Sequence, residues 1–299
     1  MKKWLFSGVL MAFLVWCAPA LSAVTVFVSI PPQKWLVEVV AGEEVKVEVL
    51  VKSGQDPHTF EPLPRQVAMM AKSRLWFTIG MPFERQLKQK IAGTAPGLTV
   101  VAMDKGIVKL PMADGDHDHG HGHVEEDPAD YGPYEADLAD PHVWLSPSNL
   151  QLMAWGVGMA LADIDPAHSR EYHDNVQRVC ERLARLDTRI KAMLAPYRGA
   201  SFFVYHPTFG YFADAYGLHQ EAVEVGGKSP EPRQLAALIG KAKAEKVKII
   251  FVQPQFDPKA AEAIAAAIGG RVVPLDALAE DVPENLLTIA TRIEEVLRQ

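Results

Sequence analysis

The chain has 299 residues, with 37 Asp and Glu against 30 Lys and Arg and a formal net charge of −7. That acidity argues against a nucleic-acid partner, which needs a basic face, and gives weak support for binding cations. Its length suffices for about two domains of 100–200 residues.

Residues 1–23 read as a cleaved secretory signal peptide. Lys2 and Lys3 precede an apolar stretch from Trp4 to Trp16, and Ala18-Pro19-Ala20-Leu21-Ser22-Ala23 supplies small residues for cleavage after Ala20 or Ala23. The apolar stretch is too short to span a bilayer comfortably. Trp16 stands before Cys17 where a lipoprotein signal needs a small residue, so no lipid anchor is expected there. The mature chain is expected to be an exported, periplasmic, soluble monomer with Cys180 as its single thiol and no disulfide.

Apolar strand-like runs follow at Val24–Ile30, Val45–Val51, Leu75–Ile79 and Leu98–Ala102, with helical spacing at Gln33–Val40 and Pro64–Ala71. A second set comprises Ser201–Tyr205, Glu221–Val225, Val247–Val252 and Arg271–Pro274, separated by helical runs such as Arg233–Lys243 and Lys259–Ala267. Such alternation implies parallel sheets covered by helices. The expected fold is α/β with two lobes, 24–164 and 197–299, each a four-stranded, mostly parallel sheet flanked by helices. Between them, Asp165 can cap a helix, Pro166 fits its first turn, and no further Pro or Gly occurs up to Ala195. One long rigid helix is therefore predicted over 165–196, about 45 Å long at 1.5 Å per residue.

The segment 113–137 is rich in Asp, Glu, Gly and His and too poor in apolar residues to bury a core, so it is predicted to be a mobile loop. Within it, His117, His119, His121 and His123 form a compositional metal-binding signal and are expected to bind zinc weakly and reversibly.

Four other candidate ligands stand far apart. His58 lies in Asp56-Pro57-His58, and His142 in the repeated triplet Asp140-Pro141-His142. Each Asp can orient its imidazole or the nearby backbone. His206 follows the strand ending at Tyr205, and Asp276 follows Arg271–Leu275. Ligands of open α/β sheets bind beyond the carboxyl ends of the strands, so these residues, two from each lobe, are expected to meet in the cleft between lobes. Three imidazoles and one carboxylate suit tetrahedral Zn²⁺. His168 and His173, five apart on the long helix, are read as solvated. His219, near a helix end, is read as complementing the helix dipole.

These motifs resemble the cluster A-I (cluster 9) metal-binding proteins of bacterial ABC importers, specifically the zinc-binding, ZnuA-like branch. The resemblance spans nearly the whole mature chain. It is carried by Gly54-Gln55-Asp56-Pro57-His58, Asp140-Pro141-His142-Val143-Trp144-Leu145, His206 ahead of Phe209-Gly210-Tyr211-Phe212, Tyr216-Gly217-Leu218 and Leu275-Asp276. It implies two lobes joined by a long helix, with Zn²⁺ held between them as cargo and delivered to a membrane permease. His58, His142 and His206 match the family's three imidazole positions. In some zinc members water or another carboxylate completes the shell in place of the residue matching Asp276. Members selecting manganese often carry a carboxylate where this chain has His206, in keeping with the preference of manganese for oxygen. No cysteine is available to staple the C-terminal part, unlike in some zinc members. Rival readings are a carrier of manganese or another divalent ion, an exported zinc hydrolase with water at an open position, and a surface adhesin. No His-Glu-x-x-His motif occurs, and no general base or nucleophile stands out beside the candidate ligands.

Overall fold

The structure is a computed structural model that describes residues 24–112, 139–224, 228 and 230–298. The expected signal peptide, the expected loop over 113–137 and its His117, His119, His121 and His123 lie outside these residues.

The chain opens with β1 (Val24–Val28), α1 (Pro31–Ala41), β2 (Val45–Val49), α2 (Pro64–Met70), β3 (Leu75–Thr78), α3 (Pro82–Ile91) and β4 (Thr99–Ala102). These strands form one sheet in the order β2-β1-β3-β4, every pair parallel. Two helices, α4 (Pro147–Ile164) and α5 (Ser169–Leu194), lead to the second half. There β5 (Ser201–Val204), α6 (Gly210–Tyr216), β6 (His219–Ala222), α7 (Pro232–Ala244), β7 (Ile249–Val252), α8 (Lys259–Ile268) and β8 (Arg271–Pro274) repeat the pattern, and α9 (Val282–Leu297) closes the chain. The second sheet has the equivalent parallel order, β6-β5-β7-β8. Inner strands are buried on both faces, which is why Leu75-Trp76-Phe77-Thr78 and Ile249-Ile250-Phe251-Val252 read as continuous apolar runs.

Two predicted boundaries shift. The strand expected at Glu221–Val225 runs instead over His219–Ala222, in register with Ser201–Val204. It begins two residues early because Gly217 ends α6 in the left-handed region at φ 67°, turning the chain straight into the sheet. The long helix is also subdivided. Pro166–His168 form a 3₁₀ turn, α5 takes 26 residues, and a second 3₁₀ turn covers Ala195–Tyr197. Asp165 fixes the first turn, its Oδ2 accepting from Tyr172 Oη at 2.8 Å and pairing with His168 Nδ1 at 2.7 Å.

α5 packs against α1 and α4 on one side and against α6 and α9 on the other, so a single helix touches both lobes. Apolar burial is continuous through this junction. One cluster joins Val26, Trp76 and Leu150 to Leu183, Phe202, Phe251 and Ile289. A separate cluster seals the outer face of the second sheet, where Phe203 and Ile250 meet Ala261 and Ile264. Among the described residues no helix is long and apolar enough to cross a membrane.

The α4–α5 contact leaves no room for a side chain at Gly158, where an added Cβ would lie 2.7 Å from Val176 Cγ2. Replacing Gly158 with Ala therefore overpacks the junction and is expected to cost about 1–3 kcal/mol, measurable by urea unfolding.

Candidate metal centre

Each candidate histidine is set by its own backbone device. After β2, Asp56 Oδ1 accepts the His58 N–H at 2.9 Å and Oδ2 accepts from Thr59 Oγ1 at 2.8 Å, the side-chain turn that Asp favours. The second triplet repeats the arrangement, with the His142 N–H donated to Asp140 Oδ1 at 2.8 Å. His206 follows β5 directly. Gln253, at the end of neighbouring β7, donates to the His206 carbonyl at 2.8 Å and to Thr208 Oγ1 at 2.7 Å, fixing that loop. Phe256 stacks on the His206 ring at 4.8 Å between centroids, and Trp144 meets His142 edge-on at 5.2 Å.

The three rings converge. His58 Nε2 lies 3.2 Å from His142 Nε2 and 3.1 Å from His206 Nε2. Among the described residues, these three are the one group of His, Cys, Asp or Glu whose donor atoms all fall within 4.8 Å of one another. A tetrahedron of zinc–nitrogen bonds near 2.0–2.1 Å has edges of about 3.3–3.4 Å, close to these separations. The cavity at the rings holds about 20 Å³, room for one ion or one water rather than an organic substrate.

Asp276 is not part of this group. It follows β8 as expected, but its Oδ1 accepts the Leu278 N–H at 2.8 Å and the Gln255 amide at 3.3 Å. His168 and His173 sit on the surface away from the three rings, and His219 begins β6.

The outer faces of two rings carry buried carboxylates. Asp140 Oδ1 meets His142 Nδ1 at 2.7 Å, and Glu224 Oε2 meets His206 Nδ1 at 3.0 Å. A carboxylate only accepts, so Nδ1 carries the proton in both rings and each Nε2 presents a bare lone pair. His58, half-buried, has no carboxylate against its ring among the described residues. Its Nε2–H is thus the donor that satisfies those lone pairs in the metal-free protein. Glu224 was not singled out from the sequence: the strand expected over Glu221–Val225 placed it inside the sheet rather than beyond its carboxyl end.

Burial, together with the neighbouring His142 and His206 rings, holds the pKa of His58 well below the ordinary imidazole value. Burial also lowers that of His142, with Asp140 pulling the other way. His58 and His142 are therefore held as neutral imidazoles at neutral pH.

The lobes meet over the site through named bonds. Trp144 Nε1 donates to the Ala277 carbonyl at 2.8 Å, and Tyr211 Oη donates to the Asp140 carbonyl at 3.0 Å. Gly210 leaves room for the Asp140 carboxylate, because a Cβ there would lie 2.7 Å from Oδ2.

Fold and site together define a two-lobed binding protein with a cluster of three histidines between its lobes. The family model described as "Zinc-uptake complex component A periplasmic" matches residues 26–297, and the chain belongs to that family. A crystal structure of ZnuA superposes with a TM-score of 0.82 at 34% identity, covering 92% of this chain and all of the other. The high-affinity zinc uptake system protein ZnuA of Paracoccus denitrificans is 29% identical over 82% of this chain and 79% of its own length. The iron-binding protein YfeA of Yersinia pestis is 24% identical over 87% of this chain and 80% of its own. The chain is thus a metal-binding protein of a periplasmic uptake family, whose members are solute-binding proteins rather than enzymes.

Lowered histidine pKa values have a signed consequence. In the unfolded chain these rings take up protons below about pH 6.5, while the folded chain resists until lower pH, so metal-free stability falls as pH drops through that window. Each such ring contributes up to about 1.4 kcal/mol per pH unit. Thermal melts of metal-free protein between pH 8 and pH 5 should show this decline, with a shallower slope in His58→Gln.

Proposed function

We propose that this protein captures Zn²⁺ in the cleft through His58, His142 and His206 and hands it to an ABC permease for zinc uptake. The observation that carries this reading is the convergence of three Nε2 atoms within ion-binding distance in a cavity sized for a single ion. Three nitrogens favour zinc over manganese, which prefers oxygen-rich shells. Water completes the tetrahedron in this reading; for Asp276 to do so, its carboxylate would have to leave Leu278 and Gln255. The His-rich run would gather zinc outside the cleft, and export through the signal peptide would place the carrier in the periplasm.

A zinc hydrolase would use the same ring cluster with water activated at the open position. The carboxylates beside the rings are occupied as partners of His142 and His206 rather than free to act as a base.

The test is a competition titration of metal-free protein against Zn²⁺, Mn²⁺ and Fe²⁺, with His117, His119, His121 and His123 replaced by Ala to isolate the cleft. One tight zinc site that manganese and iron fail to occupy is expected. His58→Ala, His142→Ala and His206→Ala should each weaken it by more than the roughly 10–100-fold typical of losing a ligand's supporting partner. Asp276→Ala should cost less than any of them. A site preferring manganese or iron, or an unchanged affinity in the histidine variants, would overturn the assignment.

A further inference from the structure

The charge balance of the centre is set by groups that do not touch the ion. Three neutral imidazoles contribute none of the negative charge that a buried divalent cation requires, and an uncompensated buried charge is strongly disfavoured. Two carboxylates lie one ring removed from the three nitrogens. Asp140 is 2% exposed and Glu224 is 5% exposed. Each is bonded to the far nitrogen of a candidate ligand.

Other charges nearby are matched or solvated. Lys109, whose field reaches His142, is paired with Asp104 at 2.8 Å. Asp56 and Asp276 are only partly buried, Asp56 engaged by the His58 N–H and Thr59 and Asp276 by the Leu278 N–H and the Gln255 amide. A divalent ion with Asp140 and Glu224 therefore makes an electrically neutral buried unit.

Asp140 belongs to the motif that also shapes the backbone at His142. Glu224 has a narrower role. It sits just beyond β6, its N–H donates to the Tyr205 carbonyl at 2.9 Å, and its side chain reaches the ring of the next residue, His206.

We propose that Glu224 is a positioning and specificity-determining residue of the metal centre. Its carboxylate holds the proton on His206 Nδ1, aims Nε2 at the ion, and supplies one of the two counter-charges that match the site to a divalent cation. The proposal rests on the zinc-carrier reading above.

Glu224→Gln keeps the size and an acceptor oxygen but removes the charge, whereas Glu224→Asp keeps the charge on a shorter arm. Both would be made in the full chain carrying Ala at His117, His119, His121 and His123, and titrated with Zn²⁺ and with Ag⁺, a monovalent ion that also accepts imidazole. Glu224→Gln should lose about 10–100-fold in Zn²⁺ affinity, the usual effect of removing a ligand's supporting partner. Its Ag⁺ affinity should hold or rise. Glu224→Asp should retain most of the zinc affinity and the divalent preference. Nitrogen-15 spectra of metal-free protein should place the His206 proton on Nδ1 in the parent and show a mixture of tautomers in Glu224→Gln.

Equal losses for both ions in Glu224→Gln, with no recovery in Glu224→Asp, would reduce Glu224 to a structural role and overturn the proposal. Unchanged zinc affinity in Glu224→Gln would overturn it too, leaving the carrier reading intact. A parent protein with no tight divalent site would overturn the carrier reading, and this proposal with it.

Discussion

The three-histidine cluster depends on two buried hydrogen bonds, from His142 Nδ1 to Asp140 and from His206 Nδ1 to Glu224. A free imidazole exchanges its proton between two nitrogens and turns about its side-chain bonds. A carboxylate behind the ring removes both freedoms and raises the basicity of the nitrogen that faces the ion. His58 completes the triangle without such a partner among the described residues, and it is the more exposed of the three. The cluster thus combines two rings fixed by carboxylates with one whose tautomer is free to change.

The fold makes those bonds possible by using one topology twice. In the second sheet, β6, β5 and β7 are adjacent, and Glu224, His206 and Gln253 lie just beyond their respective carboxyl ends. A ligand, its charge partner and the clamp on its loop are thereby brought together by strand pairing alone. His58 comes from the matching end of the first sheet, and His142 from the turn before α4. Because α5 packs on helices of both lobes and apolar burial runs through the junction, the two halves of the site are held on one framework. Trp144 and Tyr211 bridge the halves beside the rings.

Much of this was legible in the sequence. Continuous apolar runs marked the buried strands, and the repeated Asp-Pro-His triplet marked two histidines whose Asp residues do support them. Strand-end position marked His206. What escaped notice depends on register and on contacts that spacing does not encode. The β6 strand was expected two residues late, which hid Glu224 within a strand. A strand-end rule applied to the observed register would have placed it just beyond the carboxyl end of β6. Gln253 and Phe256 support His206 across the sheet, a contact that only strand order reveals. Asp276 obeyed the strand-end rule yet stands outside the group, because the turn after β8 engages its carboxylate with Leu278 and Gln255. Helix composition likewise foretold a long helix but not the 3₁₀ turns at either end, which arise from Asp165 and Pro196.

The proposed carrier holds one divalent ion equidistant from three imidazole nitrogens between its lobes. Anomalous diffraction at the zinc edge from crystals of zinc-loaded protein tests it most directly. A strong peak is expected at about 2.0–2.1 Å from Nε2 of His58, His142 and His206. A cleft without a peak, or an ion held by other residues with these rings turned away, would contradict it.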